Sequence, residues 1–390
     1  MGEYTQTINL EKPLGSENFR RQVINSNMDK IDAAIVDKVT KSELSTQLTE
    51  SAKSDSNFGY NMAEALRKYR ADLGEIDTKI IHILFLGDSI VNGTNTSDPV
   101  TKSIAGRLRH ILQNQYGACG EGFIDVDDPR WVSVGSWSKA DYGFGGHMKF
   151  ATGTSNTLAI TVNCNAFDIV YHKWGGGGNV SVTVDGVAQT ALNCTGTDTF
   201  GNRQRYSGFS NGSHTIVLTA PASNRGDIEG IIPYTDTKGI MVHRVGIPGI
   251  LSSGWTKPQS SVGWNNLGIS LAIVEVGIND CKTGTGVDTL KNNLITIVNN
   301  IRTQTPQPSV LFQVNNRQKA FAGNEWVNYM SVYYQLADQF SAACFDVSKK
   351  WGGTWELPDS LGLWGSSHDD IHPGDKGAYD IAIGLSKHLL

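Results

Sequence analysis

The chain is poor in cysteine and proline, with 5 and 11 among 390 residues, and its cysteines (Cys119, Cys164, Cys194, Cys281, Cys344) are scattered and odd in number. No CxxC or Cys/His ligand spacing occurs, so neither a zinc site nor a disulfide framework is indicated. Long apolar runs are missing too: nothing reaches the length of a membrane span, and the opening MGEYTQTINLEKPLG has neither the basic start nor the apolar stretch of a signal peptide. We therefore expect synthesis in a cytoplasm without export by the general secretory route. Positive charge is outweighed, 33 Lys and Arg against 38 Asp and Glu for a net −5, which argues against a nucleic-acid partner. With 39% hydrophobic and 18% charged residues, the chain is neither disordered nor a membrane protein. What it does have is glycine, 43 residues, which suits tight turns and strands better than long helical bundles.

Three textures follow one another. Residues 1–74 are polar and look helical after an extended start. Within them Ile24, Met28, Ile31 and Ile35 step by four, three and four, the spacing of a coiled-coil seam, while Leu44 and Leu48 fall out of register. A seam this short is marginal alone and needs partners. We expect self-association, the alternative being one amphipathic helix lying on the main domain. From Lys79, KIIHILFLG reads as a buried parallel strand and IAGRLRHILQNQYG as the helix after it, so 75–149 opens an α/β domain. Over 150–238 the helical period vanishes. TLAITVNC, FDIVYHKW, NVSVTVDG and HTIVLTAP, parted by GGGG, DG and NG turns, describe an inserted antiparallel β-sandwich. Over 239–390 the α/β texture resumes: strands GIMVHRVG, SLAIVEVG and SVLFQVNN alternate with helices, the last being DKGAYDIAIGLSKHLL.

Four short motifs carry chemistry. In FLGDSIVNG, Ser89 stands between a strand and a helix, where its hydroxyl reaches the carboxyl edge of the sheet and its N–H points at a developing oxyanion; the bland alternative is a serine that caps the helix. In VGIPGIL, Gly249 allows close approach of the backbone and offers an N–H donor, unless it merely ends a strand. In VGINDC, Asn279 offers an uncharged side-chain donor, against the alternative of a solvated loop residue. In SSHDDIHPGDKG, His372 is the side chain type that takes and returns a serine proton, and Asp369, three residues earlier, can reach back to orient it. Asp370 is a rival carboxylate, His368 reads as a solvated neighbour, and a surface histidine is the bland reading of His372 itself.

Together these blocks resemble the SGNH/GDSL hydrolase family, whose pattern is a GDS serine with glycine four residues on, a glycine turn, G-x-N-D, and D-x-x-H before the terminal helix. Here they are Ser89 with Gly93, Gly249, Gly277-Ile278-Asn279-Asp280, and Asp369 with His372. The resemblance covers the split α/β domain. It implies an α/β fold, a three-layer, flavodoxin-like parallel sheet, and a serine esterase with Ser89 as nucleophile, His372 as base and Asp369 as its partner. Ser89, Gly249 and Asn279 would form the oxyanion hole, with no metal or cofactor. The long gap between the first two blocks makes Gly146, in YGFGGHMKF, a rival to Gly249. The insert is similar to the jelly-roll modules of carbohydrate esterases in this family, and INLEKPLGSENFRRQVINSNMDKIDAAI resembles the start of phage tail-fibre and baseplate proteins.

The reading that follows is a phage tail-associated O-deacetylase acting on a host surface glycan, its partners being the O-acetylated glycan and tail or baseplate proteins, with neither nucleic acid nor membrane. A homotrimer is expected from the seam and from the tail-fibre resemblance. Trp351, Trp355 and Trp364 crowd the Asp369/His372 block, and Trp364 is taken as a substrate-binding face for sugar rings. The alternatives are a lipase or thioesterase of the same family, or an adhesin that grips a glycan with a silent esterase fold.

Overall fold

The computed structural model describes residues 3–4, 11–12, 58–319, 325–366 and 369–390, the side chains of 3–4, 11–12, 369 and 370 excepted. The chain divides into two units, Met1–Asn57 and Phe58–Leu390. In the first, the strands Glu3–Tyr4 and Glu11–Lys12 pair antiparallel. The seam Ile24, Met28, Ile31, Ile35 lies outside the described residues.

The second unit is built on five parallel strands: β1 (Ile80–Gly87), β2 (Gly239–Gly246), β3 (Ile269–Glu275), β4 (Ser309–Val314) and β5 (Ala343–Asp346). Their order across the sheet is β2-β1-β3-β4-β5. Every residue of β3 and β4 is buried, as expected of strands covered on both faces. The cover comes from α1 (Ile104–Tyr116), α2 (Pro258–Leu267), α3 (Val287–Ile301), α4 (Glu325–Phe340) and α5 (Asp375–Leu389). α1 packs on α5, and α3 packs on α2 and α4. Right-handed crossovers put these two groups on opposite faces, since β1 to β2 steps one way along the sheet and β3 to β5 the other. The direction reverses between β1 and β3, and open α/β sheets bind ligands at such a reversal, beyond the carboxyl ends of the strands.

Two boundaries differ from those expected. Residues 58–74 belong to the main unit: Gly59–Tyr60 adds an antiparallel strand to the edge at β5, and Leu66, between the short helices Met62–Ala65 and Arg67–Leu73, and Tyr69, on the second of them, are fully buried. Their period was hidden by polar neighbours. The antiparallel region also starts early, with strands at Ile124–Asp125, Val132–Val134, Ser138–Ala140 and Met148–Ala151. Pieces of two to four residues are too short for alternation to register.

The antiparallel region is a ten-stranded hydrogen-bonded network between α1 and β2. Its spine is the pairing of Thr157–Lys173 with Thr199–Thr219, broken by register shifts at Thr199/Asn202 and Ser207/Gly212, where a strand bends. Burial alternates over the first half of Thr157–Lys173 and becomes continuous over the second, so one face is solvated at one end and neither at the other. Leu158, Ile160, Phe167, Ile169, Val182 and Leu218 share one core with Trp131 and Tyr206.

Candidate active site

β1 ends at Gly87, and the chain turns through Asp88 into the short helix Ser89–Asn92. The capping side chain is Asp88, whose Oδ1 accepts from Ile90 N at 2.9 Å. Ser89 is thereby released from capping, contrary to the bland alternative, and its Oγ lies 2.8 Å from His372 Nε2. Ser89 is only 5% exposed. Gly93 closes this helix at φ 89°, and any side chain there would collide with Ser103.

His372 sits on the strand Asp369–Pro373, which pairs antiparallel with Trp364–Ser366 just before α5. Its approach is fixed from the far side by Asp375, in the first turn of α5. That carboxylate accepts from Ser97 N at 2.8 Å, Ser97 Oγ at 2.6 Å and Lys102 Nζ at 3.1 Å. Burial alone would raise its pKa, but the Ser97 and Lys102 contacts outweigh this and hold it at about 2. The loop after the helix Ser89–Asn92 is thus tied to the helix that follows His372. The side chains of Asp369 and Asp370, and all of His368, lie outside the described residues.

β3 runs into Gly277, at φ 121° and with no room for a side chain beside Tyr333, and then into the helix Ile278–Thr283. Asn279 Nδ2 donates to Ile250 O at 3.0 Å and more weakly to Asp88 Oδ2 at 3.4 Å. The glycine turn after β2 crosses the end of β1: Ile247 N and Trp255 Nε1 both donate to Gly87 O, at 3.3 and 3.1 Å. Ser252 then bonds the buried Asp280 through N at 2.9 Å and Oγ at 2.6 Å. Gly249 (φ 78°) and Gly146 (φ 84°) both line a cavity of about 280 Å³ in this region. A side chain at Gly249 would meet open space, whereas one at Gly146 would strike Ile247 and crowd Trp255. The first three blocks therefore meet at the reversal between β1 and β3, and His372 joins them from the α5 side.

Trp364 is placed differently from the expected sugar platform. It is 9% exposed and meets Trp351 edge-on at 5.4 Å between centroids, with Trp351 itself bound to Asp380 Oδ2 at 2.7 Å. A ring so packed presents no open face, because the tryptophans fill the seat of the His372 hairpin.

Two buried carboxyls went unnoticed in the sequence. Asp88 and Glu275 are both fully buried at adjacent strand ends, with Asp88 N 3.5 Å from Glu275 Oε2 and the Asn315 amide donating to Glu275 Oε1. Burial, then mutual repulsion, raises Glu275 well above its ordinary value, and burial is the main cause of the rise at Asp88. Burial thus disfavours two full negative charges at these strand ends. Asp88 was legible as an N-cap signal, an Asp at the close of an apolar run. Glu275 carries no such signal, since a polar residue ending a strand ordinarily faces water.

A serine hydroxyl and an imidazole nitrogen at this separation can pass a proton, which is the requirement for a nucleophilic serine. No protein-family model and no curated protein matches the sequence. Among solved structures, a peptidoglycan O-acetylesterase matches with a TM-score of 0.64 and 17% identity over 84% of this chain and 96% of that one. The chain shares that enzyme's fold. Family two carbohydrate esterases from Clostridium thermocellum and Cellvibrio japonicus match at TM-scores of 0.29 and 0.25, with 12% and 11% identity over 66% and 68% of this chain and 97% and 95% of theirs. Those scores are too low to establish a shared fold. The mixed α/β architecture, with its parallel sheet and its antiparallel region, is thus one on which an acetyl ester hydrolase has been built.

Proposed function

We propose that the protein is a serine esterase that removes O-acetyl groups from a polysaccharide. The reading rests on one observation above the rest, the 2.8 Å contact between Ser89 Oγ and His372 Nε2 at the reversal of the sheet. Ser89 Oγ attacks the acetyl carbonyl as its proton passes to His372 Nε2, and Asp369 orients the imidazole. The tetrahedral oxyanion is held by Ser89 N–H, Gly249 N–H and the Asn279 amide. Collapse expels the sugar oxygen, which takes the proton from His372. Water, deprotonated by the same imidazole, then attacks the acetyl-serine and releases acetate. Gly249 is preferred to Gly146 because it adjoins Ile250, whose carbonyl already holds Asn279. Both amide hydrogens of Asn279 are engaged at rest, and the long one to Asp88 is the one an oxyanion takes over.

The glycan substrate is part of this reading, and what supports it is the shared fold, the chemistry of acetyl transfer to water and the antiparallel region, which we read as a jelly-roll-like, carbohydrate-contacting module. Attachment to a phage tail, action at a host cell surface and trimer formation belong to the same reading and rest on the N-terminal segment alone. Acetate release from O-acetylated peptidoglycan and capsular glycans by wild type and by Ser89→Ala tests the core of it. Release by wild type only is expected; equal release by both overturns the assignment.

A further inference from the structure

A cavity of about 750 Å³ takes no part in the chemistry above. Its walls come from two sources: Asp125, Lys139 and His147 from the antiparallel region, and Asn92, Arg244 and Pro248 from the ends of the nucleophile helix and β2. The volume lies in the range of about 300–1,000 Å³ usual for small-ligand sites. Asn92 is one helical turn past Ser89, so the cavity opens a short step from the nucleophile.

Its polar groups are only partly used. Asp125 Oδ1 accepts from Asp127 N at 2.8 Å and meets His147 Nδ1 at 3.2 Å. Asp125 Oδ2 is buried with no hydrogen-bond partner among the described residues. Gly145 lies against that oxygen, and a side chain there would land on it. That oxygen is shielded from the cavity, so what Asp125 offers a ligand is the rest of a carboxyl that is 22% exposed on the cavity wall. Arg244 donates to Asn92 O at 2.7 Å, and its nearest carboxylate, Asp128, is 3.9 Å away. Fixed acceptors and donors of both signs suit a neutral, polyhydroxylated ligand better than a strongly charged one.

We propose that this cavity is a subsite for the sugar unit next to the acetylated one, Asp125 accepting a hydroxyl or amide hydrogen and Arg244 donating to a sugar oxygen. The proposal rests on the polysaccharide reading above. It makes the enzyme's preference for a glycan over a minimal ester depend on residues outside the serine machinery.

The test is the ratio of kcat/KM on O-acetylated peptidoglycan to kcat/KM on p-nitrophenyl acetate. Asp125→Asn removes the charge from the carboxyl on the cavity wall and replaces one of its acceptors with a donor. Lys139→Trp fills the rim from a side chain that is 43% exposed, and keeps the test open if the first variant does not fold. The ratio should fall about tenfold in each folded variant, mainly through the KM for the glycan, as expected for one lost polar contact. A wild type active on both substrates with unaltered ratios in the variants overturns the subsite alone. A wild type that cleaves p-nitrophenyl acetate but no glycan ends the polysaccharide reading, and the subsite with it.

Discussion

Buried carboxyls in the antiparallel region and in the parallel sheet are handled in opposite ways. In the antiparallel region, Asp168 is bound by Arg205, by Arg203 Nη1 at 3.3 Å and by Tyr234 OH at 2.9 Å, while Asp227 takes Arg225 Nε at 2.7 Å and His172 Nδ1 at 3.0 Å. At the sheet edge, Asp88 and Glu275 have amide and backbone partners and each other. A scaffold can neutralise a carboxylate with a fixed cation, since nothing beside it changes charge. In the proposed mechanism an oxyanion forms next to Ser89, where a full negative charge would oppose the reaction and burial without a cation favours the neutral acid. Glu229 is the exception that fits the rule. It accepts from Phe144 N at 2.6 Å and Gly201 N at 2.8 Å, and burial pushes it to about 7, in the strand that steadies the Gly146–His147 wall of the cleft.

The sharpest way to break the comparison is at the reacting pair. Ser89→Ala and His372→Ala should each lower kcat on p-nitrophenyl acetate by about 10⁴-fold or more. The thermal melt should stay near wild type, because neither side chain fills a core. Asp369→Asn should be severe and Asp370→Asn mild; the reverse order would assign the orienting carboxylate to Asp370. Activity of Ser89→Ala within tenfold of wild type would sink the nucleophile.

Asn279→Ala comes next. In the proposed mechanism its amide meets a strongly charged oxygen only in the transition state, so kcat should fall by about 10²–10³ with little change in KM. A change confined to KM would mean that Asn279 holds the ground state. In the antiparallel region, by contrast, Asp168→Asn should cost roughly 2 kcal/mol of stability, from the lost charge-assisted bonds, while kcat on the small ester is retained. Denaturant melts and initial rates on the same samples separate the two effects.

The Asp88/Glu275 pair gives a smaller effect, with a defined sign. Both pKa values are raised in the folded protein. The stability this represents is full below the unfolded values near 4 and is lost as pH climbs through the folded ones, about 7 for Asp88. Glu275→Gln removes one of the two acids, so the decline in melting temperature between pH 5 and 8 should be shallower than in wild type. A steeper decline would mean that the pair is ionised and held by something else.

How far the sequence carried the reading follows the same division. Strand ends and their glycines were legible, because apolar runs closed by Gly87, Gly246 and Gly277 mark where parallel strands meet turns, and the catalytic types sit just beyond. Beyond the cap at Asp88, the roles of Asp88, Glu275 and Asp375 were not, since each depends on partners far along the chain, such as Asn279 for the first and Ser97 for the last. Trp364 misled for a related reason: an aromatic near a catalytic block has the same local pattern whether it faces a ligand or a neighbouring tryptophan.

The smallest effect on catalysis is expected from removing the first unit, and the place of the cut decides what is learned. Deletion of residues 1–57 leaves the unit that begins at Phe58, so a soluble esterase with wild-type kcat is expected. Deletion of 1–74 also removes Leu66 and Tyr69, both fully buried, and the edge strand paired with Cys344 and Phe345. At about 1.5–3 kcal/mol for each large apolar side chain, that cut should lower the melt sharply even if some activity survives. The two deletions should agree on oligomeric state. Isoleucine at both core positions of the Ile24–Ile35 seam disfavours dimers, so full-length protein is expected as a trimer and both truncations as monomers. A seam this short can hold a trimer only weakly in free solution and more firmly where attachment raises the local concentration. Light scattering of all three proteins over a range of concentrations reads this directly. A full-length chain that stays monomeric at the highest concentration reduces the segment to a tether, and an inactive 1–57 deletion makes it part of the enzyme.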